Sequence, residues 1–148
     1  MTGVAVPHEH HIARYCRPKW VGEDGKILAV AFYLQEGHEY VSVNSLETLK
    51  LASRQSELKE IRRRLTKAKL RLKTGGRFAV ANVGRICSSA LETYTRAIRI
   101  LSEPIAIGED KELDDSHAGI YDLSYEDDLV AALIASELIE EIHPAVRS

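Results

Sequence analysis

The chain has 148 residues, 45% of them hydrophobic and 28% charged, with a formal net charge of -2; such a composition is that of a globular protein able to bury a core without cross-links, and it does not point to disorder. Its longest apolar stretches, residues 27–34 and 129–134, fall short of the roughly 20 residues that cross a bilayer, so no membrane partner is expected. The first residues carry neither the basic nor the apolar stretch of a secretory leader, and Cys16 and Cys87 belong to no paired-cysteine motif, which predicts a cytoplasmic location, reduced thiols, no metal site and no cofactor.

In chain order, residues 1–10 are expected to be flexible, and residues 10–16 read as a short strand or extended arm followed by Pro18. A turn at Asp24-Gly25 precedes residues 27–34, whose length and composition predict a buried strand. Residues 40–43 alternate as a strand with one covered face. Asn44 to Glu47 has the spacing of a capping box, which predicts a helix from Leu46. Residues 53–56 interrupt or restart that helix, with Ser56 as another candidate cap, and from there Leu58, Ile61, Leu65, Ala68 and Leu72 form one apolar stripe, ended by Thr74-Gly75-Gly76. A strand over 77–84 closes on a glycine before a helix over 85–94, and residues 97–101 give another strand. Residues 105–116 read as an acidic loop and residues 117–121 as a strand. Ser124 then caps an apolar helix running to about residue 142, before Pro144. The sum is one α+β domain over residues 1–148, a mixed β-sheet carrying about three helices.

Charge is divided along this order. Residues 50–77 hold eleven basic side chains against Glu57 and Glu60, whereas residues 103–141 hold thirteen acids against Lys111. The cations Arg54, Lys59, Arg62, Arg63, Arg64, Lys67, Lys69, Arg71 and Lys73 therefore form the candidate binding surface. Such a face engages nucleic-acid phosphates, engages an acidic protein surface, or is simply solvated. No aromatic residue lies between Tyr40 and Phe78, so stacking on bases is not supplied within the run itself. The same division allows self-association, with the basic helix of one copy meeting the acidic C-terminal helix of another.

Histidines give the alternative reading. His8, His10 and His11 cluster with Arg14 and Cys16, and His117 follows Asp114-Asp115-Ser116. If His11 and His117 meet, they supply a general base and acid for phosphodiester cleavage, with Arg14 stabilising charge on phosphorus, as a ribonuclease requires. Neither cluster has the spacing of a metal site. Trp20, the only tryptophan, is a candidate hydrophobic anchor.

The strings HHIARYC, GHEYVSVNSLE, RFAVANVG and SHAGIYDL resemble landmarks of a group of small bacterial proteins to which no activity is attached. The resemblance covers most of the chain, transfers no site residue, and implies an accessory subunit of a larger multi-gene system such as phage defence. The function expected from the sequence is thus a small accessory or regulatory binding protein, engaging a protein partner or a nucleic acid through the basic amphipathic helix. The alternative is a small phosphodiesterase using His11, Arg14 and His117.

Overall fold

In the computed structural model, which describes residues 2–146, the α+β architecture expected from the sequence is present. Six strands form one sheet in the order β4-β7-β2-β1-β3-β8, and β5 and β6 pair separately. The strands are β1 (His11–Cys16), β2 (Val41–Ser45), β3 (Arg77–Asn82), β4 (Arg99–Ser102), β5 (Ile105–Ile107), β6 (Glu112–Asp114), β7 (His117–Tyr121) and β8 (Ile139–Pro144). The longer helices are α1 (Arg54–Lys67) and α2 (Val83–Tyr94), and a short α3 (Leu129–Leu133) passes into a π turn, Ile134–Leu138. Each pairing in the sheet is antiparallel.

Both faces of the sheet are covered. On β3, Phe78 and Val80 pack with Leu58 and Ile61 of α1, while Ala79 and Ala81 face a larger core that includes Ile86 of α2 and Val130 of α3. Alternation along a strand produces this division, because neighbouring side chains point to opposite faces. Helix starts are fixed locally. Ser53 accepts a hydrogen bond from the Ser56 amide at 3.1 Å, Asn82 from the Arg85 amide at 2.9 Å, and Asp128 from Val130 and Ala131 at 2.8 and 3.1 Å, each satisfying donors that a helix start leaves open.

Several segments depart from the sequence reading, among them the basic helix, which is expected to carry its stripe through Leu72 and ends at Lys67. Residues 27–34 form no strand: Val21 bridges Ile27, and a 3-10 turn over Ala29–Phe32 buries Ala31 and Phe32. A short apolar run carries no period that separates strand from turn. The capping box after Asn44 starts only the turn Glu47–Leu49, which stops at Lys50 in the left-handed region with φ 54°. Its polar side chains are used elsewhere, as described below. The acidic segment 105–116 contains the β5–β6 hairpin.

The C-terminal helix is shorter than expected, and residues 139–144 form an edge strand beside β3. Ala79 and Val80 are fully buried, so a bare edge there would leave backbone donors and acceptors without partners. The π turn ends the helix and releases the chain into that position. Near the other edge, Ala5 bridges Leu101 and the Gly3 amide donates to Ser102 at 2.7 Å, which ties down the opening segment expected to be flexible. Among the described residues no helix is long and apolar enough to cross a membrane.

Candidate functional site

The basic helix is largely occupied by its own chain. Arg63 meets Glu60 and Glu112 at 2.8 and 2.6 Å. Arg64 meets Glu60, Asp114 and Asp115 at 2.8, 2.9 and 2.9 Å, and Lys67 meets Asp110 and Glu112 at 2.9 and 2.6 Å. Arg54 binds Glu57 and Glu141, and Arg62 donates to the carbonyls of Pro144 and Ala145 at 2.8 and 3.0 Å. The acidic segment therefore folds back as a charge-matched hairpin against α1. Hydrogen bonds from Arg63 pull Glu60 down to about 2, and those from Arg63 and Lys67 pull Glu112 down to about 2. Of the nine cations expected to bind, Lys59, Lys69, Arg71 and Lys73 are exposed and in no ion pair among the described residues.

The catalytic trio expected from the sequence is divided. His11 is held by Glu47, which accepts from its backbone amide at 2.6 Å and from its Nδ1 at 2.8 Å, and its Nε2 lies 3.4 Å from Glu140. His117 lies across the sheet: Ala13 pairs Asn44 and Asn44 pairs His117. Two strand spacings and a two-residue offset place the Cα atoms of His11 and His117 about 12 Å apart. His117 lines two cavities, and His11 lines neither. Arg14 and His117 do share one of these cavities.

That cavity follows from the strand register. Pairing between β1 and β2 extends through Ile12↔Ser45 and Ala13↔Asn44, whereas β1 continues beside β3 to Cys16 and β2 continues beside β7 to Val41. Between the diverging strands opens a cleft of about 470 Å³. Arg14 fills part of the gap, donating from Nη1 to the Ser42 carbonyl at 2.8 Å and from Nε to the Ala31 carbonyl at 3.0 Å. The first of these bonds satisfies a carbonyl on the β2 edge that faces the gap.

Arg14 and Arg17 both direct their guanidinium groups at the indole of Trp20, 5.2 and 4.5 Å from its centroid. Arg54, Arg63, Arg64, Arg85, Arg96 and Arg99 each meet a carboxylate. Arg14 and Arg17 meet none among the described residues. Burial pushes Arg14 down to about 10, with Arg17 adding repulsion. Two like charges beside one indole, neither in an ion pair among the described residues, favour a bound anion.

Two glycines set the aromatic walls. A Cβ on Gly119 would lie 2.4 Å from the Tyr40 ring, and one on Gly76 would lie 2.8 Å from the Tyr15 ring. Only glycine lets each ring lie this close to the backbone. Tyr15 also accepts the Lys73 amide at 3.0 Å, which fixes the segment after α1. Ala68 and Leu70 of that segment line the cleft, so Lys69, Arg71 and Lys73 lie on its rim segment.

The wall nearest the hairpin is a buried polar network. Asn44 donates to Asp114 at 3.1 Å and to Ser116 at 2.8 Å; Ser116 donates to Asp114 at 2.6 Å; and Arg64 supplies the positive charge at 2.9 Å. Cys16, fully buried, is pushed up to about 12 by burial, which excludes it as a thiolate nucleophile at neutral pH. Among the described residues no group of three or more His, Cys, Asp or Glu is placed to hold a metal ion. Comparison of the chain with protein-family models, with curated proteins and with solved structures finds no match in any of the three.

Proposed function

We propose that this protein is a small accessory or regulatory binding protein that recognises an anion-bearing ligand in the cleft between β1 and β2. The observation that carries this reading is the pair Arg14 and Arg17, drawn to one indole without a carboxylate partner in a chain whose acids outnumber its Lys and Arg, 22 to 20. The one carboxylate among the cleft's lining residues, Asp114, is engaged by Arg64 and Asn44, so neither Arg14 nor Arg17 is neutralised by it and both can meet an external anion. The cations of α1 that are bonded internally belong to the fold, and the recognition surface expected on that helix moves to its C-terminal end, where Lys69, Arg71 and Lys73 follow it.

Recognition is favoured over turnover. Cleavage by paired histidines needs both within hydrogen-bond reach of one bond, and His11 is engaged by Glu47 outside the cleft. His117 is 8% exposed, with Nδ1 donating to the Glu103 carbonyl at 2.7 Å.

Isothermal titration with inorganic pyrophosphate tests this function. Wild-type protein is expected to bind, Arg17→Gln is expected to lose at least tenfold in affinity, and Lys59→Gln is expected to match wild type. Equal binding by all three proteins would place the anion elsewhere, and absence of binding to the wild type would remove the reading.

A further inference from the structure

We infer that the ligand of this cleft is a nucleotide, with its phosphate on Arg14 and Arg17 and its base against Tyr15 and Tyr40. This rests on the anion-binding reading above and adds the chemistry of the rest of the ligand. A bare oxyanion, roughly two water volumes of about 30 Å³ each, leaves most of a 470 Å³ cleft empty. The remaining space is bounded by half-buried rings whose seats on Gly76 and Gly119 hold them against the backbone. A planar, apolar-faced group matches such walls, since base stacking on aromatic side chains tolerates any base.

Polar groups along the cleft fit the edge of a base. Asn44 spends its amide N–H groups on Asp114 and Ser116, and Gln35 donates to the Tyr33 carbonyl at 3.0 Å. Both side chains line the cleft, and each keeps its amide oxygen as an acceptor for a ring or exocyclic N–H. The rim segment carries Lys69, Arg71 and Lys73, exposed and in no ion pair among the described residues, where they would meet further phosphates. The basic run contains no aromatic residue, and folding supplies the rings from β1 and from the approach to β2. A nucleotide is thus matched by cations, rings and acceptors brought together from separate segments.

The test compares AMP, UMP, ribose 5-phosphate and inorganic phosphate by isothermal titration, with benzoate as an aromatic anion lacking phosphate. AMP and UMP are expected to bind at least about tenfold more tightly than ribose 5-phosphate, the size of one base stack. Tyr40→Leu is expected to bring AMP to the ribose 5-phosphate level while leaving ribose 5-phosphate unchanged. Tyr15→Leu serves as the second variant if the first does not fold, with the same expectation.

Equal affinities for AMP and ribose 5-phosphate, or tighter binding of benzoate than AMP, would overturn the nucleotide and leave an anion site. No binding of any phosphate compound would overturn both. A 5′-phosphorylated RNA hexamer separates the two sources of nucleotide: tighter binding than AMP, lost in Lys69→Gln/Arg71→Gln/Lys73→Gln, supports a strand end, and equal binding supports the free nucleotide.

Discussion

The guanidinium of Arg64 reaches the carboxylate of Asp114 at 2.9 Å, and Asp114 is 2% exposed. Arg64 comes from α1 and Asp114 from β6, so one pair joins the helix, the hairpin and, through Asn44, the wall of the cleft. Removing one partner of a buried pair leaves an uncompensated charge. Arg64→Met is therefore expected to destabilise the protein by about 3–5 kcal/mol. Its neighbour Arg63 is 47% exposed, and Arg63→Met is expected to cost no more than about 1 kcal/mol despite two ion pairs. Urea denaturation checks both; equal losses would contradict this account of the hairpin.

Gly119 and Tyr40 make a second prediction. A Cβ at 2.4 Å from the ring forces Tyr40 off the sheet, and overpacking of this kind costs about 1–3 kcal/mol. Gly119→Ala is expected to fold with reduced stability and to bind pyrophosphate normally while losing preference for AMP over ribose 5-phosphate. Unchanged preference would show that Tyr40 forms no wall for the base.

Acid separates the hairpin from α1. Hydrogen bonds from Arg63, and from Lys67 in the case of Glu112, hold Glu60 and Glu112 at about 2, below the usual 4.5. A carboxylate depressed on folding contributes stability above its unfolded value, and that contribution is lost as pH falls through the folded value. The clamp is expected to be intact above about pH 4.5 and to weaken progressively towards pH 2. Both groups keep partial access to solvent, so the effect should be local. Amide exchange of residues 105–114 should accelerate over that range before α2 does; simultaneous exchange of hairpin and α2 would contradict it.

Under the proposed function, Arg14 couples stability to the bound anion. Its burial without a counter-ion disfavours the charged form, and its two bonds to backbone carbonyls offset part of that cost. Arg14→Met is expected to cost no more than about 1–3 kcal/mol, because relief of a desolvated cation offsets part of the cost of leaving the Ser42 and Ala31 carbonyls without their donor. Excess pyrophosphate at 100 times its Kd should stabilise the wild type by about 2.7 kcal/mol and leave Arg14→Met unchanged. A thermal shift of the same size in both would place the anion away from Arg14.

Much of the sheet is legible in the sequence. β1, β2, β3, β4 and β7 follow from short apolar or alternating runs with turn residues at their ends, whereas the start of α1 is read only to within residues 53–56, and the cap is Ser53 rather than Ser56. What is not legible depends on neighbours far along the chain. Residues 139–144 suit a helix as well as a strand, and the need of β3 for a second partner decides for the strand. Asn44 and Glu47 have capping-box spacing, yet Asp114, Ser116 and His11 engage them more fully.

The site was partly legible. Arg14 stands out, but its companions in the sequence, His11 and His117, suggested the wrong geometry for cleavage. Two signals point to the cleft: residues 10–22 hold Arg14, Arg17 and Lys19 with Trp20 and no acid, and Gly119 lies at the centre of the five-residue strand His117–Tyr121. Neither identifies a cavity, because its walls come from separate segments whose meeting depends on the strand order.

Trp20 is the only tryptophan and lies beside both guanidinium groups, so its fluorescence reports the site without a label. The most direct measurement is a fluorescence titration with AMP at constant ionic strength, in wild type, Arg17→Gln and Lys59→Gln. Recognition in the cleft predicts a saturable change in wild type and Lys59→Gln whose midpoint in Arg17→Gln moves to at least tenfold higher AMP. A saturable change in Arg17→Gln equal to wild type, or none in any of the three proteins, would contradict it.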